Sequence, residues 1–308
     1  MRVVRKRAEL GNARTRLQAP VGFVPTMGAL HAGHASLVER ARHDSASVVA
    51  SIFVNPTQFG PNEDFTRYPR DEAGDLSVLE GLGVDLVFVP AVDEIYPPGS
   101  SSSVDVGGVG DVLEGAARPG HFKGVATVVS ILFNLVRPER AYFGQKDGQQ
   151  VVVIRRFVRD LGVPVEIVVC PTVREPDGLA MSSRNRYLTE DERLEAPALY
   201  RALTRASEAA TDGERSADRL RELMSDELST ARLGKADYVS VAAAETLEEL
   251  STLEGPALAS LAVRFPSARL IDCLPIGAPD GSPAGDRPLV DRARAAQSRR
   301  AAPDRPLA

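Results

Sequence analysis

The chain has 308 residues, 43% of them hydrophobic and 26% charged, with a net charge of −5 from 37 basic and 42 acidic side chains. That is the make-up of a globular protein with a sizeable core, in one large domain or two ordinary ones. The near balance of charge gives no electrostatic case for nucleic acid or a membrane surface as partner, and no apolar run approaches the ~20 residues of a spanning helix.

The start, MRVVRKRAEL, is basic but has no apolar stretch behind it, so no secretory leader is expected. From there, apolar runs rich in β-branched residues read as strands at 21–27, 48–55, 84–90, 140–144 and 165–171. They are nearly continuously apolar, as strands covered on both faces are. Helical patterns lie between them at 34–42, 71–82, 121–136 and 147–161. This alternation predicts an α/β domain over 1–172, built on a doubly wound parallel sheet with ligands at the carboxyl ends of its strands. The Gly-rich stretch at 99–110 predicts an excursion or a small hairpin.

After Pro171 the pattern changes. TEDE at 189–192 has the spacing of a capping box, and a long amphipathic pattern follows to about Ala210, with another at 216–231. Three short strands, DYVSVAA, ALASLAVRF and ARLIDCLPI, complete a smaller α+β unit over 173–276. From 277 to 308 the chain is rich in Pro, Gly, Ala, Arg and Asp, which predicts a flexible tail. Cys170 and Cys273, the two cysteines, make neither a disulfide framework nor a zinc site, and a cytoplasmic location is expected.

Five segments carry candidate chemistry. PTMGALHAGH (25–34) ends a strand, opens a helix and holds two of the four histidines. Its glycine turn at a helix N-terminus offers N–H groups to an anion, and Gly28 and Gly33 have the spacing of a phosphate loop, but His34-Ala35 follows where that loop has Lys-Ser/Thr, so imidazoles would replace the lysine as donors. In SIFVNPTQFG, the amides of Asn55 and Gln58 can donate to a carboxylate and accept from a hydroxyl. FGQKDGQQ (143–150) brings Gly144, Lys146, Asp147 and Gln150 to another strand end. DGLAMSSRNRYL (177–188) sets Arg184 beside Ser182 and Ser183 at the domain junction, as a phosphate-closing loop would. RPGHFKG places His121 at a helix start. Each segment alone also reads as an ordinary turn, loop or linker. Four of them fall just past strand ends, where one crevice would gather them.

In order and spacing these segments, with YPRD at 68–71 and LEGAARPGHFKGV, resemble the pantoate–β-alanine ligase (pantothenate synthetase) family through about residue 190. Weaker similarity, at ARLIDC, extends to about 275. The resemblance implies the H-x-G-H nucleotidylyltransferase superfamily, with a Rossmann-like N-terminal domain, a C-terminal lid domain and a homodimer. It implies ATP-dependent ligation of pantoate and β-alanine through a pantoyl adenylate, with Mg2+, releasing AMP and pyrophosphate. His34, His31 and Lys146 would be the catalytic groups. ATP would meet Met27, Gly28, Ala29, Leu30, His31, Ala32, Gly33 and His34. It would also meet Gly144, Gln145, Lys146 and Asp147, then Val173, Met181, Ser182, Ser183 and Arg184. Gln58 and Gln150 would hold pantoate, with Asn55 supporting that pocket, and magnesium would be held mainly by ATP phosphates.

Several positions depart from the family pattern: Val78 stands where some relatives carry a polar residue, Phe265-Pro266 where Leu-Gly is more usual, and two more lie in FGQKDGQQ. Gln145 stands for a usual Glu and Gly148 for a usual aromatic, and glycine is expected to loosen that helix start. Other readings are an adenylyltransferase acting on a different acid, or a nucleotide-binding protein without turnover.

Overall fold

The computed structural model describes residues 1–61 and 63–277. The tail expected over 277–308 lies, apart from Gly277, outside the described residues.

The elements run β1 (Arg2–Val4), α1 (Arg7–Arg14), β2 (Val21–Thr26), α2 (Ala32–Asp44), β3 (Ser47–Ile52), α3 (Glu72–Gly81), β4 (Leu86–Phe88), α4 (Val92–Ile95), α5 (Glu114–Ala117), α6 (His121–Val136), β5 (Arg140–Gly144), α7 (Gly148–Asp160) and β6 (Glu166–Cys170). They continue with α8 (Glu190–Glu195), α9 (Ala198–Thr211), α10 (Ala217–Leu228), β7 (Lys235–Ala243), β8 (Ala257–Arg264) and β9 (Arg269–Ile276). The first six strands form one parallel sheet in the order β1-β4-β3-β2-β5-β6. Alternate residues of β2 enter cores on opposite faces: Phe23 packs with α1, α6 and α7, and Val24 with α2 and α3. Both faces are therefore covered, which is why these strands read as unbroken apolar runs.

The edge strand β1 and helix α1 are additions to the sequence reading. Three residues are too short to give a periodic signal. The stretch 99–110 takes the excursion rather than the hairpin, with a 3-10 turn at Gly107–Gly110 and no strand. The long amphipathic pattern after Thr189 is two helices, broken at Ala196–Pro197. The predicted capping box is present: Thr189 N–H donates to Glu192 at 2.8 Å and Glu192 N–H to the Thr189 hydroxyl at 3.3 Å.

Strands β7, β8 and β9 form a separate antiparallel sheet. Helices α9 and α10 cover it through Leu199, Ala202, Leu203, Ala206, Leu220 and Met224, a helical spacing of buried positions. This unit docks on the parallel sheet at Gly148. A Cβ there would lie 2.8 Å from Cys273 Sγ and 2.9 Å from Leu258. The departure at Gly148 has a packing reason: the space an aromatic would take is filled by β8 and β9, and Gly148 keeps ordinary helical angles. The strand order decides where a ligand fits. It reverses between β2 and β5, and the loops leaving their carboxyl ends diverge around a crevice.

Candidate active site

The β2 loop is shaped by two left-handed residues, Gly28 (φ 81°) and Ala29 (φ 51°). His31 is the N-cap of α2, and its Nδ1 accepts from Gly33 N–H at 3.1 Å. Nδ1 of His34 accepts a longer bond, 3.4 Å, from His31 N–H. The two rings lie 4.1 Å apart. Burial, then the charge of Lys146, lowers the His31 pKa to about 4. Burial, then His31, lowers that of His34 to about 3. Both imidazoles are therefore neutral near pH 7. With Nδ1 accepting from the backbone, each carries its proton on Nε2, as a donor without net charge.

The β5 loop supplies the cation. Lys146 Nζ lies 3.1 Å from Asp147 Oδ1. Burial works to raise the Asp147 pKa, but Lys146, Arg184 and His34 hold it below the usual carboxylate range. The two glutamines that follow both line the crevice. Gln149 is consumed by the chain, donating to Val109 and Val112 carbonyls and accepting from Glu114 N–H.

Across the crevice stands a wall from the segment after β3. Asn55 is 1% exposed. Its Oδ1 accepts from Thr57 and Tyr96, and its Nδ2 donates to Gln58 Oε1 at 3.1 Å and the Gly124 carbonyl at 3.2 Å. Gln58 is held again through its main chain, whose carbonyl lies 2.7 Å from His121 Nδ1 and 3.2 Å from Arg118 Nη2. Arg118 also reaches His121 Nε2 at 3.1 Å and pairs with Glu63. Burial, then Arg118, lowers the His121 pKa to about 4, so this ring is a neutral link between Arg118 and Gln58.

The segment at the domain junction closes the wall. Arg184 pairs with Asp64 through two bonds of 3.1 and 2.9 Å. Burial works to lower its pKa, and Asp64 more than reverses that. Tyr68 OH lies 3.2 Å from Ser183 Oγ, and Tyr187 OH donates to the Arg67 carbonyl at 2.9 Å. From β9, Arg269 makes a buried bidentate pair with Glu114, and Asp272 one with Arg174.

These parts enclose one cavity of about 810 Å³, within the range of small-molecule sites. Of the expected site residues it is lined by Met27, His31, Gly33, His34, Gln58, Gly144, Lys146, Asp147, Gln150, Val173, Met181, Ser182, Ser183 and Arg184. Gly28, Ala29, Leu30, Ala32, Asn55 and Gln145 do not line it. Gly28, Ala29 and Leu30 shape the loop, Ala32 opens α2, Asn55 donates to Gln58, and Gln145 is buried against Cys273. Sequence reasoning missed Glu63, Asp64, Arg118 and Asp75. Arg118 opens RPGHFKG, and no local pattern in the sequence marks the partners of Glu63, Asp64 or Asp75.

A family model described as pantoate-beta-alanine ligase matches residues 2–275. A pantothenate synthetase of Chloroflexus aggregans is 60% identical over 274 residues, 88% of this chain and 98% of that protein. A pantothenate synthetase crystal structure from Thermus thermophilus superposes with a TM-score of 0.85 at 53% identity, covering 89% of this chain and 99% of that one. A pantoate-beta-alanine ligase from Francisella tularensis, complexed with beta-gamma ATP and beta-alanine, gives a TM-score of 0.73 at 35% identity, covering 89% and 97%.

Proposed function

This chain belongs to the pantoate–beta-alanine ligase family and is an ATP-dependent ligase of pantoate and β-alanine; we propose that the cavity between the β2 and β5 loops is its catalytic site. The observation that carries this reading is the meeting of two neutral imidazoles, Lys146 and the Ser182–Arg184 segment on one cavity that also holds Gln58 and Gln150. Domain roles follow: 1–172 binds nucleotide and pantoate, and 173–276 supplies the closing wall.

In the first step a pantoate carboxylate oxygen bonds to the α-phosphorus of ATP. The bond from that phosphorus to the bridging oxygen breaks, and pyrophosphate leaves. Two anions must be aligned, and the charge growing on the leaving group must be met. His31 and His34 offer Nε2–H donors at the N-terminus of α2, where backbone N–H groups and the helix dipole also favour phosphate. Lys146 supplies a full positive charge opposite them. Gln58 and Gln150 hold pantoate by its hydroxyl and carboxylate, Gln58 being fixed from below by Asn55 and from behind by His121. The nucleophile is the substrate's own carboxylate, so the site needs no serine or cysteine nucleophile.

In the second step the neutral amine of β-alanine attacks the acyl carbon of the adenylate. The carbon–oxygen bond to AMP breaks, and the nitrogen loses a proton. The walls must keep water from this mixed anhydride.

Magnesium fits as a companion of the nucleotide. Each carboxylate that lines the cavity, Glu63, Asp64, Glu114, Asp147 and Asp272, is ion-paired with Arg118, Arg184, Arg269, Lys146 and Arg174 respectively. No cluster of three candidate ligands stands among the described residues. ATP phosphates would be the ion's main ligands, and it would supply charge neutralisation there. The homodimer is carried by the resemblance, and the cytoplasmic location by composition and cysteine usage. No described helix is long and apolar enough to cross a membrane.

The test is pyrophosphate release from ATP with pantoate, with and without β-alanine. Pantoate-dependent release that becomes sustained on adding β-alanine is the expected result. Release with other hydroxy acids but not pantoate would shift the reading to a different substrate. ATP binding without release would leave a binding protein.

A further inference from the structure

We propose that Asp75 is a positioning residue for adenylate formation: its buried carboxylate fixes the left-handed turn at Gly28–Ala29 and so sets the aim of His31 and His34. Asp75 lies on α3, outside the cavity lining, and is 4% exposed. Its Oδ2 accepts from Ala29 N–H at 2.8 Å and its Oδ1 from Leu30 N–H at 2.7 Å. No cation pairs with it among the described residues. A buried carboxylate persists only where hydrogen bonds replace lost water, and here two backbone N–H groups do so.

The turn needs such a clamp. Ala29 has a side chain yet holds φ 51°, a conformation that persists only where the surroundings impose it. Gly28 touches the same group, since a Cβ there would lie 2.7 Å from Asp75 Oδ2. Gly28 N–H in turn bonds to the Thr26 hydroxyl at 3.2 Å, which donates to the Ser51 carbonyl at 2.7 Å. The loop is thus tied to β3 at one end and to α3 at its centre. The next residue after the clamped pair is His31, the N-cap of α2. A slip at Ala29–Leu30 therefore moves both rings together.

The clamp is separable from α3 itself. Asp71 caps that helix independently, accepting from Gly74 N–H at 3.0 Å. Asp75→Asn keeps the volume and one acceptor, but it turns an amide NH2 toward one of the two backbone N–H groups.

The inference rests on the reading that His31 and His34 serve the phosphates, and the experiment separates the two. The native chain, Asp75→Asn and His34→Ala are compared in both half-reactions. One is pyrophosphate release from ATP with pantoate; the other is attack of β-alanine on supplied pantoyl adenylate, which has no pyrophosphate to stabilise. For Asp75→Asn the expected result is an adenylation kcat lower by about 10²-fold, the scale of an ångström misplacement, with a far smaller change in KM for ATP and near-native attack on the supplied adenylate. Native adenylation by Asp75→Asn would overturn the proposal. So would a parallel fall of both half-reactions, which would make Asp75 merely structural. If His34→Ala also adenylates normally, the phosphate reading fails instead. If Asp75→Asn does not fold, Asp75→Glu keeps both acceptors one methylene further out. The same selective loss of adenylation then supports the clamp, and a parallel loss or none refutes it.

Discussion

The β2 loop, from Met27 to His34, and the opposite wall, from residues 58–61, 63–68 and 182–187, face one cavity but are held by different means. The loop is fixed by backbone: Asp75 grips two N–H groups, and each histidine spends Nδ1 on a main-chain donor. The wall is fixed by charge: Arg184 pairs with Asp64, and Arg118 with Glu63. Among the described residues nothing accepts a hydrogen bond from Nε2 of His31 or His34, so a phosphate bound as proposed would meet those donors without a rival. At Arg184 it would compete with Asp64. Fixed donors cost no reorganisation when charge develops, whereas an ion pair can exchange one anion for another as a ligand arrives. The difference suits a site that must hold its geometry on one side and close on the other.

The largest expected effect comes from breaking a buried ion pair that lines the same cavity. Arg269→Ala leaves Glu114, 4% exposed, buried without its cation. Removing one partner of a buried pair costs about 3–5 kcal/mol, read as a lower urea midpoint. An unchanged midpoint would mean that water reaches Glu114 and that the fold does not depend on this pair. On the fixed side, His34→Ala is expected to cut pantoate-dependent pyrophosphate release by roughly 10²–10³-fold, the usual loss of one transition-state donor, with little change in Tm. Near-native turnover would remove His34 from the chemistry.

Acid sharpens the comparison through neutral histidines. His34 and His121 have folded pKa values near 3 and 4, below the ordinary 6.5. Between about pH 6.5 and pH 4 the unfolded chain binds more protons, so stability rises with pH and is lost as pH falls. Each such histidine contributes up to about 1.4 kcal/mol per pH unit. His121→Gln should make the stability–pH slope shallower by one histidine over that window; an identical slope would show that His121 is protonated in the native wall. The smallest effect is expected from Asp64→Asn, which releases Arg184. KM for ATP should fall by up to about fivefold, the worth of a partly exposed pair of ~1 kcal/mol. A rise would mean instead that Asp64 holds Arg184 in its working place.

Much of this was legible in the sequence wherever the cause is local. The strand runs at 21–27 and 140–144 and the helix at 121–136 match the structure closely, because burial on two faces or one imprints a short period. The TEDE box formed as read, because its partners are three residues apart. Other features had no such imprint. Gly148 looked like a weak helix start and is a contact site for Cys273 and Leu258. Asn55 is a residue whose partners the sequence did not mark: its amide donates to Gln58 Oε1 and to the Gly124 carbonyl, 69 residues on. The sequence by itself determined the doubly wound rhythm, the histidines at a helix start and the family to which they belong. These are patterns carried within a few residues of one another. Only the tertiary structure decided which carboxylate holds which group, as with Asp75 and Ala29, 46 residues apart. Such a partner is chosen by where the chain brings two groups after folding, and neither residue carries a local sign of the other.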